Sequence, residues 1–166
     1  GGGHAALLED SRAVSSGLGQ LRGRWAAGRR GPLGIVIAFD MLVLPEPDLQ
    51  ATVDLVRFLE SHRFGCAWIG DSPPLDWPDV YATLALCSAA TTRITLAPGV
   101  TNPVTRHSSV TANALVTLHR LSSGRAALGI GLGYSAVRAA GLKPARLHEL
   151  TAYLAALRST FRERNV

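Results

Sequence analysis

Short apolar runs and longer helical stripes alternate along this chain, and the alternation predicts its architecture. Four runs, near residues 35–39, 66–70, 94–98 and 126–130, are compact and β-prone, the pattern of strands buried on both faces. Between them the apolar positions recur at helical spacing. Leu49, Val53, Val56 and Leu59 share one face after an N-cap at Asp48, and Gly65 is the expected stop. Pro78 suits the first turn of a helix reaching about Ala90, with Val80, Leu84 and Cys87 inward. Val110, Ala114, Thr117, Leu118 and Leu121 mark a third helix, with Ser108 as N-cap and Gly124 just past the end. After Ile130 the chain enters Gly131-Leu132-Gly133 and the start of a further helix. A short irregular segment then leads to a last stripe, Leu147, Leu150, Leu154, Leu157 and Phe161. Asp40–Pro47 reads as a loop, since Pro45 and Pro47 block an early helix.

Strands that recur about every 30 residues with a helix between them are βα units, which implies parallel pairing. In such units the functional loops follow the C-terminal ends of the strands. The candidate loops are therefore the segment opening at Gly70-Asp71, the segment Gly99–His107, and Gly131–Ser135.

Composition narrows the function classes. At 166 residues with 47% hydrophobic and 17% charged residues, the chain suits one globular domain. The net charge of +5 is concentrated in a Gly/Arg-rich leader, residues 1–33, expected to be mobile; the remainder, 34–166, is nearly neutral. No basic face with interleaved aromatics is present, which argues against a nucleic-acid partner. No run of 18 apolar residues suggests a membrane span, and the leader lacks the apolar centre of a signal peptide. Cys66 and Cys87 fit buried thiols and not a disulfide framework, so a reduced cytoplasm is the expected location. His4, His62, His119 and His148 are scattered without metal-ligand spacing, so no metal site is expected. Trp68 and Trp77 read as packing residues. Gly131, Gly133 and Ala136 fit G-x-G-x-x-A with Glu149 downstream, a weak dinucleotide fingerprint. That fingerprint needs a helix opening directly from the loop, and Gly141 and Pro144 would cut it short.

The ordered set GVTNPVTRH (99–107), LSSGR (121–125), LGIGLGYSA (128–136) and GLKPARL (141–147) resembles the luciferase-like monooxygenase superfamily. Within it, the set is most similar to deazaflavin-dependent reductases of the methylenetetrahydromethanopterin type. The resemblance runs from about Ile35 to about Phe161. It implies an α/β fold of the TIM-barrel type, of which about four of eight (β/α) units would be present as an N-terminal half barrel. It implies coenzyme F420 or FMN as cofactor and a small organic molecule as substrate, with hydride transfer between them. It further implies that the third strand ends in a bulge with a non-prolyl cis peptide at Gly99-Val100, against which the cofactor ring rests. The cofactor-binding residues expected on this basis are Asp71, Gly99, Val100, Thr101, Asn102, Gly131, Gly133 and Ser135. No catalytic residue is assigned, because Ser72 stands where the family often has a histidine, and serine is no general acid near neutral pH. Tyr134 likewise stands where the family often has aspartate. A barrel of this type needs about 250 residues, so the chain is expected to be a truncated form. The alternative is an inactive half barrel acting by association with a second copy, or with a complementing half.

Overall fold

The computed structural model describes residues 38–165. The expected leader, 1–33, and the run 35–37 lie outside the described residues. From Phe39 onward the chain is built on a parallel sheet of three strands, β1 (Met41–Val43), β2 (Cys66–Ile69) and β3 (Thr95–Pro98), in the order β1-β2-β3. Its helices are α1 (Leu49–Ser61), α2 (Val80–Ala90), α3 (Ser108–Leu121), α4 (Tyr134–Ala139) and α5 (Leu147–Glu163). Met41, Leu42 and Val43 pair with Ala67, Trp68 and Ile69, and Cys66 to Ile69 pair with Thr95 to Pro98.

The first strand departs from the expectation. Ala38 and Phe39 are not in a strand, and β1 lies where a loop was expected. Met41, Leu42 and Val43 are themselves β-prone, and the two prolines that forbid a helix permit a strand ending just before Pro45. The fourth expected strand is also altered. Residues 126–130 run parallel to β3 but touch it through isolated bridges, Leu96 with Ala126 and Thr101 with Ile130. From 96 to 101 is one residue more than from 126 to 130, so β3 carries an extra residue between the bridges. That is a β-bulge, and it falls at Gly99-Val100, whose peptide bond is cis.

The helices follow from caps and apolar faces. The Asp48 carboxylate accepts from the Gln50 amide at 2.9 Å, and α1 buries Thr52, Val53, Val56 and Leu59. It stops at Arg63, which takes a left-handed conformation (φ 65°), and not at Gly65, which already belongs to the approach to β2. Asp79 caps α2 by accepting from the Tyr81 and Ala82 amides. Pro78 therefore precedes the cap instead of occupying the first turn. His107, not Ser108, caps α3, its Nδ1 accepting from the Ser109 amide at 3.3 Å. The buried face of α3 is Thr111, Ala112, Leu115, Val116 and Leu118, while Val110 and Leu121 are exposed. The expected stripe is thus rotated, because threonine and alanine serve the close contact with α5 that larger side chains would prevent. In α5, Tyr153 and Leu157 are buried and Leu147 is 71% exposed.

The core is continuous from β1 to α3: Val43, Val56, Leu59, Ile69, Leu84, Leu96 and Leu118 pack together, and Cys87 is a buried thiol within it. Two polar clamps brace the end of the sheet opposite the candidate loops. The Glu60 carboxylate accepts from the amides of Thr92, Arg93 and Ile94, tying α1 to the turn before β3. Partial burial alone would raise its pKa, but these backbone donors carry it below the ordinary value. Arg125 is 6% exposed, and its guanidinium donates to the carbonyls of Ser122, Ile94, Ser88 and Thr91 and to the Thr91 hydroxyl. It joins the C-terminal ends of α2 and α3 to the start of β3.

Candidate functional site

At the C-terminal ends of the strands a cavity of about 600 Å³ opens between three loops. Asp71 and Ser72 come from the loop after β2, Gly99, Val100 and Asn102 from the bulged loop after β3, and Gly131 to Ala136 from the glycine loop running into α4. Seven of the eight residues expected from the sequence line it: Asp71, Gly99, Val100, Asn102, Gly131, Gly133 and Ser135. Thr101 does not line the cavity; its side chain is fully buried in the wall behind. The sequence did not single out Leu44, Leu75 and Trp77, which complete the apolar side. Leu44 was missed because Asp40–Pro47 read as a loop, whereas Met41–Val43 is a strand that ends beside it. Trp77 is held against Gly70, where an added Cβ would sit 2.7 Å from its ring.

Glycine is required at two points of this wall. A Cβ on Gly99 would lie 2.5 Å from the Trp68 Cβ and 3.2 Å from Trp68 backbone atoms. Gly133 has a left-handed φ of 84°, and a Cβ there would lie 2.4 Å from Val137 Cγ2 and 2.9 Å from Asn102 Cβ. These two close approaches fix the strand-end loops against β2 and against α4. The glycine loop does open onto a helix, but α4 has only six residues and Gly141 (φ 72°) follows its cap. The dinucleotide fingerprint therefore lacks the long helix that would face a pyrophosphate.

The polar groups of the wall are fixed by their partners. Asn102 Oδ1 accepts from the Val104 amide (3.0 Å), the Thr105 amide (2.9 Å) and the Thr105 hydroxyl (3.2 Å), which orients the amide group. Its Nδ2 is buried without a protein partner, as is Asp71 Oδ2; both residues line the cavity. Behind them the hydroxyls of Thr101 and Tyr81 are also buried, close to each other and, for Thr101, to the Asp71 carboxyl, without a well-formed hydrogen bond. Arg106 bridges to Asp79 at 2.6 Å and lies 4.7 Å above the Tyr81 ring. Of the four buried atoms without a well-formed bond, Asn102 Nδ2 and Asp71 Oδ2 belong to lining residues, and unmet hydrogen-bonding capacity at a cavity suits a ligand or solvent partner.

Burial pushes the Asp71 carboxyl above its ordinary pKa, Asp79 adds to the rise, and the Thr101 hydroxyl and Arg106 charge pull against it. A folded-state pKa above the unfolded value means the native state holds the proton more tightly. The stability this contributes is complete below about pH 4, the unfolded value, and is lost as pH rises through the folded-state pKa. Asp71→Asn should therefore match the parent at pH 4 and exceed it by about 1 kcal/mol at pH 8. Urea unfolding at the two pH values measures the difference; equal stability at pH 8 would contradict the burial argument.

A larger cleft of about 840 Å³ lies between the start of α3 and α5, lined among others by His107, Lys143, Arg146 and Tyr153. Its central polar groups are already engaged. The Tyr153 hydroxyl donates to the Arg106 carbonyl at 3.0 Å and lies 2.6 Å from the Thr111 hydroxyl, and Glu149 accepts from the Arg146 amide at 2.6 Å. Among the described residues no cluster of three His, Cys, Asp or Glu could hold a metal ion, and no helix is long and apolar enough to cross a membrane.

Comparison with known proteins agrees with this geometry. The family model for luciferase-like monooxygenases matches residues 32–166. The chain is 35% identical over 97 residues to 5,10-methylenetetrahydromethanopterin reductase of Methanopyrus kandleri, covering 58% of this chain and 27% of that enzyme. It is 40% identical over 78 residues to the corresponding reductase of Archaeoglobus fulgidus, covering 47% and 23%. The coenzyme F420-dependent tetrahydromethanopterin reductase structure from M. kandleri superposes with a TM-score of 0.62 at 33% identity, over 66% of this chain and 31% of that one. The FMN complex of the oxygenating constituent of 3,6-diketocamphane monooxygenase from Pseudomonas putida shares the fold, with a TM-score of 0.61 at 17% identity over 76% and 40%. The chain spans less than a third of the length of the curated relatives it matches.

Proposed function

From the premise that this chain belongs to the luciferase-like monooxygenase family, whose model takes in residues 32–166, we propose that it supplies the ring-binding wall of a flavin- or deazaflavin-dependent oxidoreductase. The observation that carries the reading is the cavity where Asp71, Gly99, Val100, Asn102, Gly131, Gly133 and Ser135 meet. The residues present fit a flat, edge-polar ligand. The glycine loop offers backbone without side chains, Val100 is half-exposed on the bulge, and the unbonded Asn102 Nδ2 and Asp71 Oδ2 await partners. Coenzyme F420 or FMN has this shape, and when bound such a cofactor supplies hydride chemistry with a small organic substrate. Similarity to the F420-dependent reductases favours the deazaflavin.

The chain's own residues bind, orient and exclude water. Leu44, Leu75 and Trp77 make the cavity floor apolar, which strengthens any hydrogen bond made there. Asn102 donates from Nδ2, a direction its three Oδ1 contacts hold in place. Asp71 accepts or donates according to pH. Titration of the chain with F420 and with FMN, followed by fluorescence, tests the reading. Saturable binding to one ligand supports it, and absence of binding to either by a folded chain overturns it.

Asn102→Asp sharpens the test, because the new carboxylate keeps the oxygen that caps the Asn102–Thr105 turn and exchanges the free donor for an acceptor. Affinity should fall about 10-fold or more, and because position 102 is 1% exposed the buried carboxylate should also lower stability at neutral pH, so binding is compared under conditions where both proteins are folded. Unchanged affinity would remove Asn102 from the site.

A second reading, an inactive half barrel that associates with another copy or a complementing half, is favoured by the apolar side chains of Phe39, Leu42 and Leu44, which are 67%, 57% and 59% exposed. Sedimentation of the chain without ligand separates the two: a monomer that binds cofactor leaves no role for self-association.

A further inference from the structure

The wall behind the cavity buries hydroxyls that packing does not account for. Thr101 is 0% exposed and Tyr81 9%, and neither hydroxyl has a well-formed hydrogen bond. Valine and phenylalanine would fill the same space without burying a polar atom, which costs free energy when it goes unpaired. The Thr101 hydroxyl faces the Asp71 carboxyl on one side and the Tyr81 phenol on the other, and Asp71 Oδ2 is itself buried without a partner. Three buried groups therefore form a row, drawn from the loop after β2, the bulged loop after β3 and the start of α2. Of the three, Asp71 is the member that lines the cavity.

Each member is held from outside the row. Asp79 accepts from the Tyr81 amide at 3.0 Å and from Arg106 at 2.6 Å, and the Arg106 guanidinium carbon lies 4.7 Å from the centre of the Tyr81 ring. The Thr101 amide donates to the Gly129 carbonyl, and the Thr101 carbonyl accepts from the Gly131 amide, both at 3.0 Å. With the backbone and the ring fixed, the hydroxyl hydrogens are what can still turn. An ionised carboxylate only accepts, a threonine hydroxyl donates one hydrogen while accepting another, and a phenol donates one. Ionisation of Asp71 thus polarises the row in one sense, phenol to threonine and threonine to carboxylate. Without such donors, burial would hold a carboxyl in this wall neutral. The charged and titratable groups that face Asp71 are Arg106 before α3, Asp79 and Tyr81 at the start of α2, and Tyr153 of α5. Arg106 favours the charge and Asp79 opposes it.

We propose that Tyr81 and Thr101 are positioning residues for Asp71, their hydroxyls donating in series to its carboxylate so that Asp71 can ionise inside a buried wall while facing the ligand. In facing a ligand, the proposal rests on the ring-binding reading of the cavity. When Asp71 ionises, its proton leaves by way of the cavity, and the hydroxyl hydrogens stay on their own oxygens.

The test follows the Asp71 carboxyl carbon by NMR as pH is varied, in the intact chain without ligand, with Asp71→Asn identifying the signal. Thr101→Val should raise the proton affinity of Asp71 about tenfold, and Tyr81→Phe about threefold, since it removes the outer donor alone. A series connection makes the double variant match Thr101→Val. Thr101→Ser keeps the hydroxyl and should match the parent. The proposal is overturned if Thr101→Val leaves the Asp71 titration in place. It is equally overturned if the two effects multiply, because each hydroxyl would then act on Asp71 independently. Binding supplies a second readout. For whichever of FMN and F420 binds, the pH profile of affinity should carry the Asp71 inflection, shifted upward in Thr101→Val as the NMR titration is and absent in Asp71→Asn. If neither ligand binds while the NMR effects appear in series, the ring-binding reading fails and the hydroxyl row stands.

Discussion

Gly99→Ala is expected to lower the stability of the folded chain by about 3 kcal/mol and to abolish ligand binding at the cavity. The added methyl would sit 2.5 Å from Trp68 Cβ, with the Trp68 Cα and carbonyl carbon at 3.2 Å. None of these atoms is the free end of a flexible side chain. Trp68 is paired on one side with Leu42 and on the other with Ala97, so the central strand cannot retreat. Relief must come from moving the bulge itself, and the bulge carries Val100 and leads to Asn102. Gly131→Ala is the matched control, because a Cβ there meets only Val100 Cγ2, at 3.4 Å, an ordinary contact. It should alter stability by about 0.5 kcal/mol or less. Denaturant midpoints measured side by side decide the matter. Equal, small effects at 99 and 131 would mean that β2 and the bulge do not meet as closely as the structure has them.

Arg125→Met should cost more, about 3–5 kcal/mol, although the residue lies at the other end of the sheet from the cavity. The guanidinium gathers the carbonyls of Ser88, Thr91, Ile94 and Ser122 and the Thr91 hydroxyl at 2.8–3.1 Å. Methionine fills a similar volume but leaves these acceptors buried without donors, and an unmet buried polar group costs more than a hydrogen bond gains. Arg125→Lys restores the charge yet offers three donors from one point in place of a planar fork, so it should recover only a minor part of the loss. Thermal unfolding of the three proteins gives the comparison. A lysine variant as stable as the parent would show that charge and not the fork is what the site uses.

Much of the arrangement was legible because its cause is local. Asp48 and Asp79 cap helices with side chains two and three residues from the amides they accept, and Gly124 ends α3 in a left-handed turn as its position suggests. The cavity residues were legible from where βα units place their loops, together with the resemblance carried by GVTNPVTRH and LGIGLGYSA. What escaped depended on distant partners. The first strand takes its register from Ala67 and Ile69, which local β-propensity in two adjacent runs could not distinguish. The segment 126–130 has strand composition, but the bulge opposite reduces its pairing to two bridges. The buried face of α3 is set by contact with α5 and not by its own most apolar residues. LSSGR read only as part of a family pattern, and nothing in its spacing indicated that Arg125 spans α2, α3 and β3. Thr101, expected at the ligand, turns its hydroxyl into the wall.

The pairing distances along the sheet carry a kinetic consequence. Met41 meets Ala67, 26 positions later, and Cys66 meets Thr95, 29 positions later. The Arg125 clamp closes on partners 31 to 37 residues back. Loop-closure entropy grows only logarithmically, so these successive closures differ by about 0.3 kcal/mol or less. No single long-range contact has to form first. One helix separates each strand from its neighbour, so loop closure ranks none of these pairings clearly ahead of another. A parallel sheet ordinarily folds slowly because its partners are remote; here each partner is always one helix away. Pulse-labelled amide exchange during refolding should accordingly protect β1 and β2 no later than β3.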